Sequence, residues 1–286
     1  MPMDPEWPEG FRALPRPPAM VFWDGDPALW TPLARGQAVA VVGSRRASSH
    51  GLRVAELLGE LLACAGWPVI SGLAEGIDAA AHRGCLRAGG CPVAVLGTPL
   101  DRAYPAEHAN LQADVRRAGL LLTESAPGAR VQRASFALRN RLLVALAHTV
   151  VVAECPEKSG ALISAQEALS QRRSVWTVPG DVLRASTRGS NQLLSRGAQP
   201  ILDPAAWVQS LGVGPLAVKP ISSSDQHPQG TALKDPVLKA LLEKGGSFQQ
   251  LAQALGRSPA ALAEQLVQLE LEGLVVAEAG MRWRLA

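Results

Sequence analysis

Cysteine is scarce in this chain of 286 residues, and Cys64, Cys85, Cys91 and Cys155 show no C-x-x-C spacing. That excludes the common zinc frameworks and points to buried, small side chains in a reducing compartment. No apolar run approaches the ~20 residues that cross a bilayer. The Pro-rich, acidic start, Met1 to Arg35, lacks the basic head and apolar centre of a signal peptide, so a cytoplasmic protein with no membrane partner is expected. Nucleotide cradles are also missing. The segment Gly43-Ser-Arg-Arg-Ala-Ser-Ser-His-Gly51 departs from G-x-G-x-x-G, and no G-x-x-x-x-G-K-[ST] occurs. Ser44, Ser71 and Ser159 stand outside any G-x-S-x-G elbow. Asp78 and His82, four apart on one helix face, read better as a capping aspartate and a satisfied histidine than as a catalytic or metal pair. Neither a cofactor nor a metal is expected.

What is present is one plan used three times, a buried strand breaking into a polar turn at the mouth of a helix. Ala38-Val-Ala-Val-Val42 runs into Gly43, Ser44, Arg45 and Arg46, with Ser48 or Ser49 placed to cap a helix to about Ala65. Pro68-Val-Ile-Ser71 leads through Gly72 and Gly76 into a helix headed by Asp78. Val150 to Glu154 leads to Lys158, Ser159 and Gly160 before a third helix. Helix starts offer unpaired N–H groups and partial positive charge, so such turns suit phosphate. Further strands are predicted over 91–96, 120–123, 174–178 and 199–202. Strands alternating with helices imply a parallel sheet, which lines its strand-to-helix turns along one edge. The core is therefore α/β with converging cradles.

Charge follows the same division. Residues 37–207 carry 18 basic against 13 acidic side chains, while 231–286 carry 6 of each. Residues 125–153 hold Arg130, Arg133, Arg139 and Arg141 and no carboxylate, a patch suited to a polyanion. A helix capped by Ser135 is predicted to place Arg139, Asn140 and Arg141 in its early turns, where cations are unfavourable unless an anion answers them. Aromatic residues make up only 4% of the chain, so phosphate neutralisation is expected to outweigh base stacking. Tyr104-Pro105 and Gly180-Asp181 read as loop punctuation.

The organisation expected is an N-terminal extension over 1–36, with Trp7, Trp23 and Trp30 to bury, a core over 37–207, a linker over 208–230 and a small domain over 231–286. In that last part helices over 235–244, 247–255 and 258–271 and a hairpin of 274–276 with 281–285 describe a winged helix. Its third helix carries Glu264 and Glu270, with Glu272 following, and no lysine or arginine, so an accessory or protein-contact role is expected, with Arg282 and Arg284 as its DNA contacts.

These motifs, in order, resemble the DNA-processing protein A family, also called DprA or Smf. The resemblance runs from Val39 to Asp203 through Gly43-Ser-Arg45, Ser71 to Asp78, Ala81-His82, Ala94 to Gly97, Tyr104-Pro105, Glu124, Phe136 with Arg139-Asn-Arg141, Glu157 to Ala161, Pro179-Gly180, Gly189-Ser-Asn191 and Gly197-Ala198. It implies an extended Rossmann-like parallel sheet with a small C-terminal winged-helix domain. It also implies a non-catalytic homodimer that binds single-stranded DNA, protects incoming strands and loads the RecA recombinase in natural transformation. Carried over position by position, the basic DNA contacts fall on Arg45, Arg139, Arg141 and Lys158. The expected DNA-binding set is Ser44, Arg45, Arg46, Gly72, Phe136, Arg139, Asn140, Arg141, Lys158, Ser159, Gly160 and Asn191. Glu75, Ala137 and His108 stand where the family has a basic residue, proline and asparagine. Glu75 would repel phosphate unless it pairs with Arg45 or Arg46. Members often carry a further helical domain ahead of the core, and 36 residues are too few for it, so this sequence either lacks that domain or is a shortened form. The alternative is a lonely-guy-like nucleotide phosphoribohydrolase, which expects a Pro-Gly-Gly-x-Gly-Thr loop that Pro179-Gly180-Asp181 does not supply.

Overall fold

A computed structural model describes residues 7–217 and, in the C-terminal part, 237, 240–241, 246–256, 258–271, 275–278 and 282–285. The chain divides into two compact units, 1–218 and 219–286.

In the first unit, short apolar segments make an eight-stranded sheet in the order β1-β5-β4-β3-β2-β6-β7-β8. The strands are β1 (Phe22–Gly25), β2 (Val39–Val42), β3 (Val69–Ser71), β4 (Pro92–Val95), β5 (Leu120–Thr123), β6 (Thr149–Val152), β7 (Ser174–Thr177) and β8 (Gln199–Pro200). All neighbours run parallel except β1, which pairs antiparallel to β5 at the edge. The central strands are continuous apolar runs because helices cover both faces. Ala40, Val42, Val150 and Val152 enter one core cluster, whereas Val39, Val41 and Val151 enter the other. From β2 the chain winds outward through β3, β4 and β5, then returns to the far side of β2 with β6. The boundary between β2 and β6 is thus the point where winding reverses, the place where open α/β sheets form a crevice.

The intervening helices are α1 (Glu9–Arg12), α2 (Trp30–Ala34), α3 (Ser49–Cys64), α4 (Ile77–Arg87), α5 (Ala109–Ala118), α6 (Arg133–Ala145), α7 (Gly160–Ser170), α8 (Arg188–Ser195) and α9 (Pro204–Ser210). Ser48 is the cap of α3, its hydroxyl accepting from Gly51 N–H at 3.1 Å. The predicted Ser135 cap does not exist. Extended backbone at Gln132 places the cap of α6 three residues earlier, which puts Ser135 inside the first turn with no capping bond. Arg139 and Arg141 therefore lie beyond the first turn, where the helix dipole has faded.

Two segments expected outside the core belong to its packing. The first 36 residues supply β1, and Phe11, Leu29 and Leu33 are buried in the sheet's main cluster. At the other end Val208 is buried, Trp67 Nε1–H donates to Gly212 O, and Gly214 N–H donates to Ala65 O. The stretch predicted as linker from 208 thus begins as an extension of the core up to residue 217. Cys64, on the last turn of α3, is exposed and Cys91 is half-buried, unlike the buried Cys85 and Cys155.

In the second unit, β9 (Gly246–Ser247), α10 (Phe248–Leu255), α11 (Pro259–Leu271), β10 (Val275–Glu278) and β11 (Arg282–Leu285) form two helices and a three-stranded β10-β11-β9 sheet around Leu251, Leu262, Leu266 and Val275. Ser258 caps α11, its hydroxyl accepting from Ala261 N–H at 3.3 Å. The helix predicted over 235–244 lies largely outside the described residues.

Buried histidine gives this core a pH limit. His82 on α4 is wholly enclosed, donates from Nε2 to Val93 O at 3.2 Å and leaves Nδ1 without a partner. Burial, together with the nearby Arg139 and His108, holds it down at about 4 from an ordinary 6.5. With the folded value depressed, the unfolded chain takes the proton first, so stability present above pH 6.5 is lost as pH falls toward 4. Moving from pH 7 to 5 should cost about 2 kcal/mol through this group alone. Denaturant titrations of His82→Met at the two pH values should show that acid limb reduced by about this amount; an unchanged limb would discount His82.

Candidate nucleic-acid interface

Three loops meet at the reversal point because their backbones bond to one another. Ser44 N–H, after β2, donates to Glu154 O, after β6, at 2.7 Å, and Ile77 N–H, after β3, donates to Ser44 O at 3.1 Å. Glu154 also ties the loop to α3. Its buried carboxylate accepts from Ser48 N–H at 2.7 Å and from the Ser48 hydroxyl at 2.6 Å.

Between these loops and α6 lies a cleft of about 550 Å³, lined by Ser44, Arg45, Arg46, Phe136, Arg139, Asn140, Lys158, Ser159 and Gly160 among others. Nine of the twelve expected residues are thus brought together. Arg45, Arg46 and Lys158 are exposed, and among the described residues none of them forms an ion pair. Ser44 accepts from Arg46 N–H at 3.1 Å and shapes the turn, while Ser159 caps α7 by accepting from Ala161 N–H at 3.2 Å. The amino end of α7 therefore opens beside Lys158, adding its partial charge to the ammonium. Phe136 is half-buried, with the Arg45 guanidinium carbon 5.5 Å from its ring centre.

Arg139 has a different place from the one expected of it. It is 6% exposed, lies under the cleft, and donates from Nη1 to Gly72 O at 2.9 Å and to Val95 O, and from Nε to Asn140 Oδ1 at 3.1 Å. Gly72 N–H in turn donates to Asp78 Oδ2 at 3.1 Å. The backbone of one residue, Gly72, thus joins a buried cation to a buried anion. Burial pulls Arg139 down to about 10 and pushes Asp78 up, and each is partly restored by the other. Gly72 is a fixture of this network, since a Cβ there would run into the Arg139 guanidinium.

Two more expected contacts are engaged elsewhere. Arg141, half-buried, pairs with Glu124 at 2.5 and 2.6 Å. Asn191 holds the turn after β7, accepting from Gly180 N–H at 3.1 Å and donating to Gly180 O at 3.0 Å. Neither lines the cleft. Glu75 is exposed and pairs with neither Arg45 nor Arg46 among the described ion pairs. His108 is buried and donates from Nδ1 to Leu73 O at 3.0 Å, a structural bond behind the same loop. Tyr104, read from the sequence as loop punctuation, has its ring centre 4.8 Å from that of Phe136. A lone tyrosine before a proline carries no periodicity that could place it there.

Residues 1–212 match the sequence profile of the family described as DNA recombination-mediator protein A, and residues 222–281 match that of the DprA winged helix domain. The chain is 31% identical over 317 residues to Protein Smf of Synechocystis sp., an alignment covering 99% of this chain and 79% of that protein. The X-ray structure of DNA processing protein A from Streptococcus pneumoniae is similar with a TM-score of 0.66 at 33% identity, over 72% of this chain and 71% of that one. A solved structure of DNA processing protein A from Helicobacter pylori, a protein with a single-stranded DNA binding mode, is similar with a TM-score of 0.65 at 30% identity, over 71% of this chain and 92% of that one.

Proposed function

Because this chain belongs to the DNA recombination-mediator protein A family, we propose that its cleft holds single-stranded DNA by the phosphates, as a binding protein that breaks no bond in its ligand. The supporting observation is the trio of cations Arg45, Arg46 and Lys158, which form no ion pair among the described residues and gather at the winding reversal between β2 and β6. A backbone laid there meets two flexible guanidinium groups, one ammonium and a helix amino end. Beneath them, the Asp78–Gly72–Arg139 bonds keep the floor fixed.

The wider reading follows the family resemblance. In it the chain acts as a homodimer in the cytoplasm, shields incoming single strands during natural transformation and delivers them to RecA. The second unit serves as an accessory contact module, in keeping with the lack of lysine and arginine on α11.

Anisotropy titration of a labelled oligo-dT against increasing NaCl tests the binding. Neutralising about three phosphates should give a slope of roughly −2 in log affinity against log salt. Salt-independent binding would overturn the phosphate reading, and equal affinity for duplex would overturn the single-strand reading. Incubation with AMP should release no adenine; release would establish the phosphoribohydrolase alternative.

A further inference from the structure

After β7 the chain makes a turn that holds two aliphatic side chains out in water on a rigid frame. Val182 is 77% and Leu183 85% exposed, and among the described residues no other two neighbours in sequence leave large apolar side chains so open. The buried Thr187 hydroxyl shares its hydrogen between Asp181 O at 2.6 Å and Arg184 O at 3.0 Å. Leu183 N–H donates to Asp181 Oδ1 at 2.9 Å, and Arg184 N–H donates to Asp181 O at 3.1 Å. Gly180, clasped by Asn191, lets the two limbs of the turn close, because a Cβ there would strike Thr187. Aliphatic groups fixed in water bring nothing to the fold, so the pair calls for an occupant from outside. Ala185 and Ser186, next along the chain, line the cleft. Asp181, Arg184 and Thr187 line a second cavity of about 450 Å³, bounded on its other side by His50 and Val54 of α3. Because α7 packs on one face of the sheet and α3 on the other, the turn stands between two hollows that open on opposite faces at the same sheet edge.

We propose that Val182 and Leu183 form an apolar saddle over which a single strand passes from the cleft into the second cavity, packing against bases that lie outside the cleft. This rests on the reading of the cleft as a single-stranded DNA site. Aliphatic side chains set against base steps are a recurrent way of holding unstacked bases. A single strand bends sharply enough to cross the sheet edge, whereas a duplex is stiff over about 150 base pairs. Beyond the saddle, Arg184 offers its guanidinium to a phosphate, with His50 lining the same cavity. That cavity is less positive than the cleft, since Asp181 pairs with Arg184 Nε at 3.6 Å and the Glu154 carboxylate, held by Ser48, lies in its lining. Affinity added beyond the cleft therefore comes from apolar cover more than from charge, and it should vary little with salt.

Full-length wild type and the double variant Val182→Ser, Leu183→Ser are compared by anisotropy on oligo-dT of about 5 and about 15 nucleotides, the ends of the range such sites span. On the short strand the variant should bind within about twofold of wild type. On the long strand it should lose about tenfold, the effect of partly covering two aliphatic side chains, with an unchanged salt slope. A loss equal on both strands, or no loss on the long one, overturns the saddle and leaves the phosphate cleft standing. A change of oligomeric mass in the DNA-free variant, read by light scattering, would assign the pair to a contact between copies and likewise overturn it. Wild type binding neither strand overturns both readings. The unmutated protein supplies a second readout through long oligo-dT carrying one 4-thiothymidine, moved along the strand and irradiated. Trypsin cuts after Arg173 and Arg184, so the turn falls in the peptide 174–184. That peptide should carry a crosslink from positions near one end of the long strand and none from the short strand. Crosslinks confined to residues 43–46 and 156–160 count against the saddle whatever the stability of the variant.

Discussion

Arg45→Glu and Lys158→Glu should each weaken oligo-dT binding by about 30-fold or more at 0.15 M salt, with melting temperature within about 2 °C of wild type. The magnitude follows from contact electrostatics at a wet surface. A cation and a phosphate at about 4 Å attract by about 1 kcal/mol in water, so reversing the charge changes the balance by about 2 kcal/mol, and more where the cleft excludes water. Stability should hardly respond, because both side chains are exposed and form no ion pair among the described residues, while the loops that bear them are held by backbone bonds from Ser44 and Ile77 and by the Glu154 carboxylate. Each variant should also lower the salt slope by about 0.7, the share of one phosphate on a single strand. Arg141→Gln is the informative contrast. Its guanidinium is committed to Glu124, so affinity should change by less than about threefold while the melt moves down. Undiminished binding by both glutamate variants would take the DNA site away from this cleft.

The parts of this arrangement written locally were the ones legible in the sequence. A buried strand must be apolar on both faces in a parallel sheet, and the runs at 39–42, 120–123 and 149–152 declare themselves for that reason. The turns that follow them declare themselves through glycine, serine and charge, and the rule that such turns share an edge brought Arg45, Lys158 and Ser159 together before any coordinates. What was not legible depends on partners far apart in the chain. Arg139 and Arg141 sit two residues apart on one helix and read alike, yet one turns inward to the carbonyls of Gly72 and Val95 and the other outward to Glu124. Helical spacing separates them by about 200°, but only the neighbouring strands decide which side is buried. Strand β1 escaped notice because Phe22–Gly25 is four residues long and pairs at an edge, where little apolar pattern is demanded. The meeting of Tyr104 with Phe136 escaped for a similar reason, as it joins a loop to helix α6 with no shared periodicity.

Replacing Arg139 should therefore act on the fold first and on DNA second. Arg139→Met leaves Asp78 buried without its compensating cation and leaves two carbonyls without a donor, a loss of about 3–5 kcal/mol for a broken buried pair. In a unit of this size that is a fall of about 10 °C in melting temperature at pH 7. The pH dependence identifies the cause. Burial already holds the Asp78 carboxyl above its ordinary value, and the Arg139 guanidinium is the first of the influences drawing it back. Without that guanidinium the folded value climbs further above the unfolded 3.8. A group whose folded value is raised stabilises the native state when protonated, so its contribution is lost as pH rises through the folded value and regained as pH falls. The gap in stability between Arg139→Met and wild type should accordingly be widest near pH 7 and narrow on acidification, as Asp78 takes a proton in the variant before it does so in wild type. Adding Asp78→Asn, which keeps an acceptor for Gly72 N–H but removes the charge, should recover part of the loss at pH 7 and flatten the pH dependence. Melts of the three proteins across pH 5 to 8 provide the measurement. An Arg139→Met melt within 2 °C of wild type at pH 7, or a gap that widens in acid, would show that the buried pair does not carry the floor of the cleft.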